Sequence, residues 1–439
     1  MREVIETLVA DSLAEPLVEP TPRRVRLPAL PGKADVVVGM RRSGKTWLLF
    51  DQMRRLLAEG LDRSRMLYLN FEDERLLPMT AGDLALVPEA YFRRHPENHD
   101  RPCWFFLDEI QNVAGWERFV RRMLDQRRHR FVLTGSSATL FSGEIATSMR
   151  GRSLTTELLP FGFDEWLRHH GLAIPERWPP PAGQRARLER AFLDYLDVGG
   201  FPEVQGVEAA LRRRILQDYV HAVLLRDVAE RHRIVNVAIL RALARQLLAG
   251  PAAAYTVNRL FHALKSQGLR VSKDAVYEHV RQIEDAYLFC SMEVDDESER
   301  VRQSRPRKCE VIDPGLARAV SWRAAQDRGH LLENVVYLEL RRRGAEPRYV
   351  VTRAGHEVDF LARWPDGSRE LVQVCESLAR PDTRERELRA LEEAFAEGRA
   401  GRAVVVTLHE EETVRVKRRS VRVVPAWRWM LEARGAVER

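Results

Sequence analysis

The stretch Gly39-Met40-Arg41-Arg42-Ser43-Gly44-Lys45-Thr46 decides how the chain starts to fold. Residues 34–38 ahead of it form a short apolar run. Residues 46–59 behind it carry Leu48, Leu49, Met53, Leu56 and Leu57 at helical spacing. The pattern predicts a strand, a glycine-hinged loop and a helix, in which successive backbone N–H groups and the helix N-terminus face phosphate oxygens. Gly39, Arg42, Ser43, Gly44, Lys45, Thr46 and Trp47 are the candidate nucleotide-binding residues. Lys45 is placed to reach the β- and γ-phosphates, and the Thr46 hydroxyl to ligate Mg²⁺. Only six of the 71 basic residues are lysine, so a lysine at this position stands out.

Working outward, Trp104-Phe105-Phe106-Leu107-Asp108-Glu109 is an apolar strand ending in two adjacent carboxylates. Phosphoryl transfer needs one acid to hold the hydrated metal and another to polarise the attacking water, roles that fall to Asp108 and Glu109. A further strand at 131–134 runs into Gly135-Ser136-Ser137, which makes Ser136 a candidate polar contact to the γ-phosphate. Together with the apolar run at 66–71, these strands alternate with helical stretches, the pattern of a parallel sheet covered by helices.

These motifs resemble a family of prokaryotic AAA+ ATPases that reads G-x-R-R-x-G-K-[ST], L-D-E-[IV]-Q, T-G-S-[SN] and G-R followed by a Pro-Phe segment. Here they are 39–46, 107–111, 134–137, and Gly151-Arg152 with Leu159-Pro160-Phe161. The similarity continues through Gly199-Gly200-Phe201-Pro202-Glu203 and Leu225-Arg226-Asp227-Val228. The resemblance implies an ATPase core with a helical lid, working with ATP and Mg²⁺ in a homo-oligomer such as a hexameric ring. An arginine of one subunit then completes the neighbour's site. Arg152, with Arg150 beside it, is the candidate for that role, and Arg226 for a contact from the lid.

The expected fold class is α/β, with a P-loop AAA+ parallel sheet and helical lid, a winged helix, and a C-terminal restriction-endonuclease-like domain. The expected boundaries are 1–162 for the core, 163–235 for the lid, 236–300 for the winged helix and 301–439 for the last domain. Helices near 237–248, 257–265 and 273–288 followed by the run 289–294 carry the winged-helix reading, with Lys273, Tyr277 and Arg281 on one face of the last helix. The C-terminal domain looks like the PD-(D/E)xK nuclease fold, with Glu333 on its leading helix and Asp359 on a strand. The second acid and the lysine of that pattern are replaced by Gln373 and Cys375. Without an anionic ligand and without a cation, the site is expected to be catalytically inactive.

Composition is compatible with this reading. The chain has 439 residues, enough for about three domains. It is 45% hydrophobic and 31% charged, with a formal net charge of +7, which permits a polyanionic partner without requiring one. Cys103, Cys290, Cys309 and Cys375 form no CxxC pair, and no apolar run is long enough to span a membrane, so a cytoplasmic protein with no membrane partner is expected. The expected function is ATP hydrolysis acting on DNA, branched DNA included, by remodelling, branch migration or unwinding. The alternatives are a nucleotide-controlled assembly or signalling switch that recruits a protein partner and, third, an ATP-regulated nuclease.

Overall fold

The computed structural model describes residues 1–135, 149–322 and 326–432. It divides into two units, 1–159 and 160–439.

The first unit is a sheet of five parallel strands. Helix α1 (Arg2–Ala14) precedes β1 (Ala34–Val38), α2 (Lys45–Ala58), β2 (Met66–Asn70), α3 (Leu86–Arg94), β3 (Trp104–Asp108), α4 (Trp116–Asp125), β4 (Arg130–Gly135) and β5 (Ser153–Glu157). The strand order is β2-β3-β4-β1-β5. The register Val38↔Gly135 and Asn70↔Asp108 brings the C-terminal ends of the central strands to one edge. All five residues of β1 are buried, because a parallel strand with helices on both faces exposes neither row of side chains. Leu48, Leu49 and Met53 of α2 pack with Val37, Phe106 and Val132 in one cluster. Truncating such a side chain to alanine costs roughly 2–5 kcal/mol. Helix α1, which falls in a stretch that reads as acidic and polar, buries Ile5, Leu8 and Val9.

The second unit opens with α5 (Phe163–His169), α6 (Ala182–Val198) and α7 (Ala209–Ala222), the last running on into a π-helical segment, Val223–Glu230. The Gly199-Gly200 pair is built into this region. The Gly200 N–H donates to Asp313 Oδ2 at 2.5 Å, and a Cβ at Gly200 would run into the Phe161 carbonyl. Next come α8 (Val237–Leu248), β6 (Ala253–Tyr255), α9 (Val257–Ser266), α10 (Lys273–Asp285), β7 (Phe289–Met292), α11 (Glu299–Ser304) and β8 (Arg307–Val311). Strands β6, β8 and β7 form an antiparallel sheet in that order. Its middle strand, β8, therefore lies beyond the boundary expected at 300, where charged residues hide the alternation of a strand.

Helices α12 (Pro314–Val320) and α13 (Arg328–Arg342) lead to β9 (Glu346–Val351), β10 (Glu357–Arg363), β11 (Arg369–Val374), α14 (Pro381–Ala396), β12 (Arg402–Thr407), β13 (Glu412–Val416), β14 (Arg419–Pro425) and α15 (Ala426–Leu431). The six strands form a mixed sheet, β13-β14-β12-β11-β10-β9. Leu371, Val405, Val421 and Val423 of this sheet share a core with Ala390 and Leu391 of α14. The expected α/β class holds: a parallel five-stranded sheet of P-loop AAA type and a separate mixed sheet.

Candidate nucleotide site

The Gly39–Thr46 loop turns at the C-terminal edge of the first sheet, and its backbone is shaped for an anion. A Cβ at Gly39 would run into the Leu158 carbonyl oxygen, and Gly44 caps α2 at φ +97°, a left-handed conformation that favours glycine. Arg42 also sits at positive φ, +69°. From below, the Arg23 guanidinium donates to the Ser43 carbonyl at 3.0 Å and the Leu159 carbonyl at 2.6 Å. Lys45 is 5% exposed. Its Nζ donates to the carbonyls of Gly39 and Met40 at 3.2 and 3.4 Å and lies 3.4 Å from Glu109 Oε1. The Ser43 hydroxyl, beside Gly39, is buried with no hydrogen-bond partner among the described residues.

The acids meet this loop. Thr46 Oγ1 donates to Asp108 Oδ2 at 2.7 Å, and the Tyr68 hydroxyl donates to the same oxygen at 3.0 Å. Thr134 donates its hydroxyl to Asp108 Oδ1 and accepts the Glu109 backbone N–H at 2.9 Å, so one side chain holds the Asp108 carboxylate and the Glu109 backbone together. Glu109 has φ +52°, a strained conformation costing about 1–3 kcal/mol that is held by its surroundings and recurs at functional sites. Burial raises the Asp108 carboxyl above its ordinary value, against the hydrogen bonds from Thr134 and Thr46. Burial also pushes Glu109 up, but the Lys45 ammonium, the Gln111 amide and Arg41 outweigh it and hold Glu109 below the usual range. The surroundings thus favour the anionic form of Glu109, and a nearby cation would favour that of Asp108.

This donor set fits a magnesium nucleotide. Mg²⁺ is usually held by one or two carboxylates, a hydroxyl and phosphate oxygens rather than by a full protein cage, and Thr46 with Asp108 offers that half-shell. The glycine-shaped turn, the buried lysine and the orphan Ser43 hydroxyl supply the phosphate side.

Comparison with known proteins agrees. Residues 32–167 match a family described as AAA domain, residues 189–327 a domain of unknown function, DUF8612, and residues 328–429 another, DUF4143. An uncharacterised protein of Methanocaldococcus jannaschii is 33% identical over 420 residues, covering 93% of this chain and 90% of that protein. The chain belongs to this family of AAA-domain proteins. A second member, an uncharacterised protein of Haemophilus influenzae, is 28% identical over 331 residues, covering 75% of this chain and 80% of its own. Among solved structures, the Aeropyrum pernix Orc1 protein in complex with DNA aligns at 14% identity with a TM-score of 0.27, covering 74% of this chain and 91% of its own. The loop lies within the residues that match the AAA domain.

The remaining candidates fall in different places. Trp47, 46% exposed, lies on the first turn of α2, edge-on to Phe50. Ser136 lies outside the described residues. Arg152 precedes β5, where the register Ala34↔Ser153 puts it at the N-terminal edge of the sheet. At about 3.3 Å per residue that is roughly 16 Å along β1 from Gly39. Its guanidinium pairs with Asp125 of α4. Arg150 is exposed at φ +51°, and Arg226 is exposed on the π-helical segment of the second unit. On α10, Tyr277 is exposed, while the Arg281 charge is met by Glu278 at 2.8 Å and Asp285 at 4.0 Å.

In the second unit, Glu333 and Asp359 do come together, and a cation joins them. Lys308 Nζ, reaching from β8, lies 2.6 Å from Glu333, 2.6 Å from Glu357 and 3.6 Å from Asp359. This corrects the expectation that the pocket lacks a cation: the lysine missing at 375 arrives from a strand far away in sequence. Burial works against the Lys308 charge, but the three carboxylates more than offset it and hold the ammonium protonated. Gln373 is spent on Glu387 (2.5 Å), and Asp359 Oδ2 accepts the Val374 N–H at 2.8 Å. Burial pushes the Cys375 thiol up to about 12, so it stays neutral. Glu310, two residues along β8 from Lys308, is wholly buried, and neither of its carboxylate oxygens has a hydrogen-bond partner among the described residues.

Proposed function

We propose that the chain is an oligomeric ATPase that acts on DNA. The observation that carries the reading is the convergence of Lys45, Thr46, Asp108 and Glu109 on one cradle, with Thr46 and Asp108 2.7 Å apart and Lys45 3.4 Å from Glu109. Lys45 would reach the β- and γ-phosphates, Thr46 and Asp108 would hold Mg²⁺, and Glu109 is placed to orient the attacking water and take its proton. Mg²⁺, when bound, would supply neutralisation of the phosphate charge. Thr134 keeps the two acids in register, and Ser136 is assigned to the γ-phosphate. Arg152, too far from its own loop, serves a neighbouring subunit in trans, with a loss of roughly 10³ in rate when it is removed.

The α8–β6–α9–α10–β7–β8 arrangement supports a winged helix, and the mixed sheet with α13 and α14 supports a nuclease-like domain. We assign both to holding DNA rather than cutting it, because Gln373 and Asp359 are committed to internal hydrogen bonds and Lys308 fills the space between the acids. The test is steady-state ATPase with and without duplex, single-stranded and branched DNA across a salt series. The reading requires stimulation that falls steeply with salt as phosphate contacts release counterions. A turnover rate indifferent to every DNA would overturn it.

A further inference from the structure

The second unit carries an open cavity of about 360 Å³ between α7, α8 and the end of α12. Its floor is aliphatic, with Val220 and Leu224, and its rim carries Gln217, His221, Arg241 and Arg245. Gln217 and His221 stand one turn apart on α7, and Arg241 and Arg245 one turn apart on α8, so the two pairs face each other across the opening. No described residue lining the cavity is acidic. Both arginines are exposed, and neither side chain makes an ion pair or hydrogen bond among the described residues. This sets them apart from Arg281 on α10, whose charge is already met.

A second feature lies on the same flank. The Gln217 amide and the Arg213 guanidinium both donate to the Ala319 carbonyl, at 2.8 and 3.2 Å. Arg213 in turn lies 5.4 Å from the ring centroid of Trp322, which is 71% exposed. An exposed indole with an arginine on its face, one helical turn from a basic, apolar-floored cavity, combines a stacking platform with a phosphate clamp.

We propose that this surface binds a single strand of nucleic acid, with a phosphate between Arg241 and Arg245, a sugar or base on the aliphatic floor, and the next base stacked on Trp322. The cavity has the volume of a one-nucleotide pocket, within the roughly 300–1,000 Å³ of small-ligand sites. Its openness and the platform beside it fit a strand that continues beyond one unit. The inference rests on the reading that the chain acts on DNA and names where it would grip.

The experiment is fluorescence anisotropy of a labelled oligothymidylate of about 20 nucleotides, with the full-length protein, over a salt series. Arg241→Glu with Arg245→Glu should weaken binding by tenfold or more and lower the salt slope by about two. Trp322→Ala should weaken it by about tenfold with the slope unchanged, and DNA-independent ATPase should stay at the wild-type level in each variant. Wild-type binding that the double reversal leaves intact would overturn the inference while sparing the DNA reading. Absence of any strand binding by the wild type would likewise overturn the inference, while the DNA reading falls only if ATP turnover is also indifferent to duplex, single-stranded and branched DNA. A parallel titration with AMP distinguishes the sources of the phosphate: AMP bound in an Arg245-dependent way, with no strand bound, would assign the cavity to a free nucleotide and overturn the proposal.

Discussion

Replacing Lys308 by methionine tests the electrostatics of the second unit directly. The ammonium is 5% exposed and lies within 2.6 to 3.6 Å of three carboxylates. Removing it leaves Glu333 and Asp359 buried beside Glu310 with no cation among them. Breaking a buried ion pair by deleting one partner typically costs about 3–5 kcal/mol, which in a unit of this size is a drop in Tm of roughly 6–20 °C. The loss must depend on pH. Burial already raises Glu333 and Asp359 above their ordinary values, and without Lys308 they rise further. A group whose folded value exceeds its unfolded one gives stability at low pH that is lost as pH rises. Lys308→Met should therefore be far less damaging at pH 5, where the acids take up protons, than at pH 8. Urea denaturation followed by the buried tryptophans Trp364, Trp427 and Trp429 reads the difference. A loss below about 1 kcal/mol at pH 8, or one equal at both pH values, would refute the reasoning.

Other consequences are open to measurement. Asp35 is buried on β1 with Oδ1 unpartnered among the described residues, and burial pushes its carboxyl up to about 6, so its ionisation costs stability as pH rises from about 4 to 6. Asp35→Asn should raise Tm at pH 8, by the equivalent of at most about 3 kcal/mol, and leave it unchanged below pH 4; a Tm at pH 8 no higher than wild type contradicts this. Thr134→Val removes the hydroxyl that ties Asp108 to Glu109 and should slow ATP hydrolysis about tenfold or more with the fold intact by circular dichroism; undiminished turnover would deny Thr134 its role. Incubation with Mg²⁺ or Mn²⁺ and DNA should give no cuts that depend on Asp359, and cuts abolished by Asp359→Asn would restore the nuclease reading.

How much was legible in the sequence follows from how local each requirement is. The phosphate loop and the Asp108–Glu109 pair could be read because cradling phosphate forces particular residues at fixed spacing beside an apolar strand. The role of Thr134 is not legible in the sequence, because a threonine inside a strand reads as a β-branched strand former and the Gly135-Ser136-Ser137 stretch after it offers a more conspicuous polar side chain. Tyr68 contributes from β2, and nothing in its own stretch announces a carboxylate partner. Lys308 was hidden in the same way: its acids lie 25, 49 and 51 residues away, and the strand that carries it reads as the end of a polar break. The β13 edge strand, alternating Val414 and Val416 with exposed residues, is too polar to stand out from a loop. The Gly199-Gly200 motif was recognisable as a pattern, but its cause, the approach of Gly200 to the Phe161 backbone, needed the fold.

The central claim is that Lys45 and the acids at the end of β3 serve a single magnesium nucleotide. The most direct measurement is the retention and turnover of radiolabelled ATP by wild type, Lys45→Ala and Glu109→Gln side by side. Wild type should bind and hydrolyse ATP, Lys45→Ala should retain none, and Glu109→Gln should retain ATP while hydrolysing it at least about 10²-fold more slowly. Hydrolysis at the wild-type rate by Glu109→Gln, or ATP held as tightly by Lys45→Ala, would contradict it.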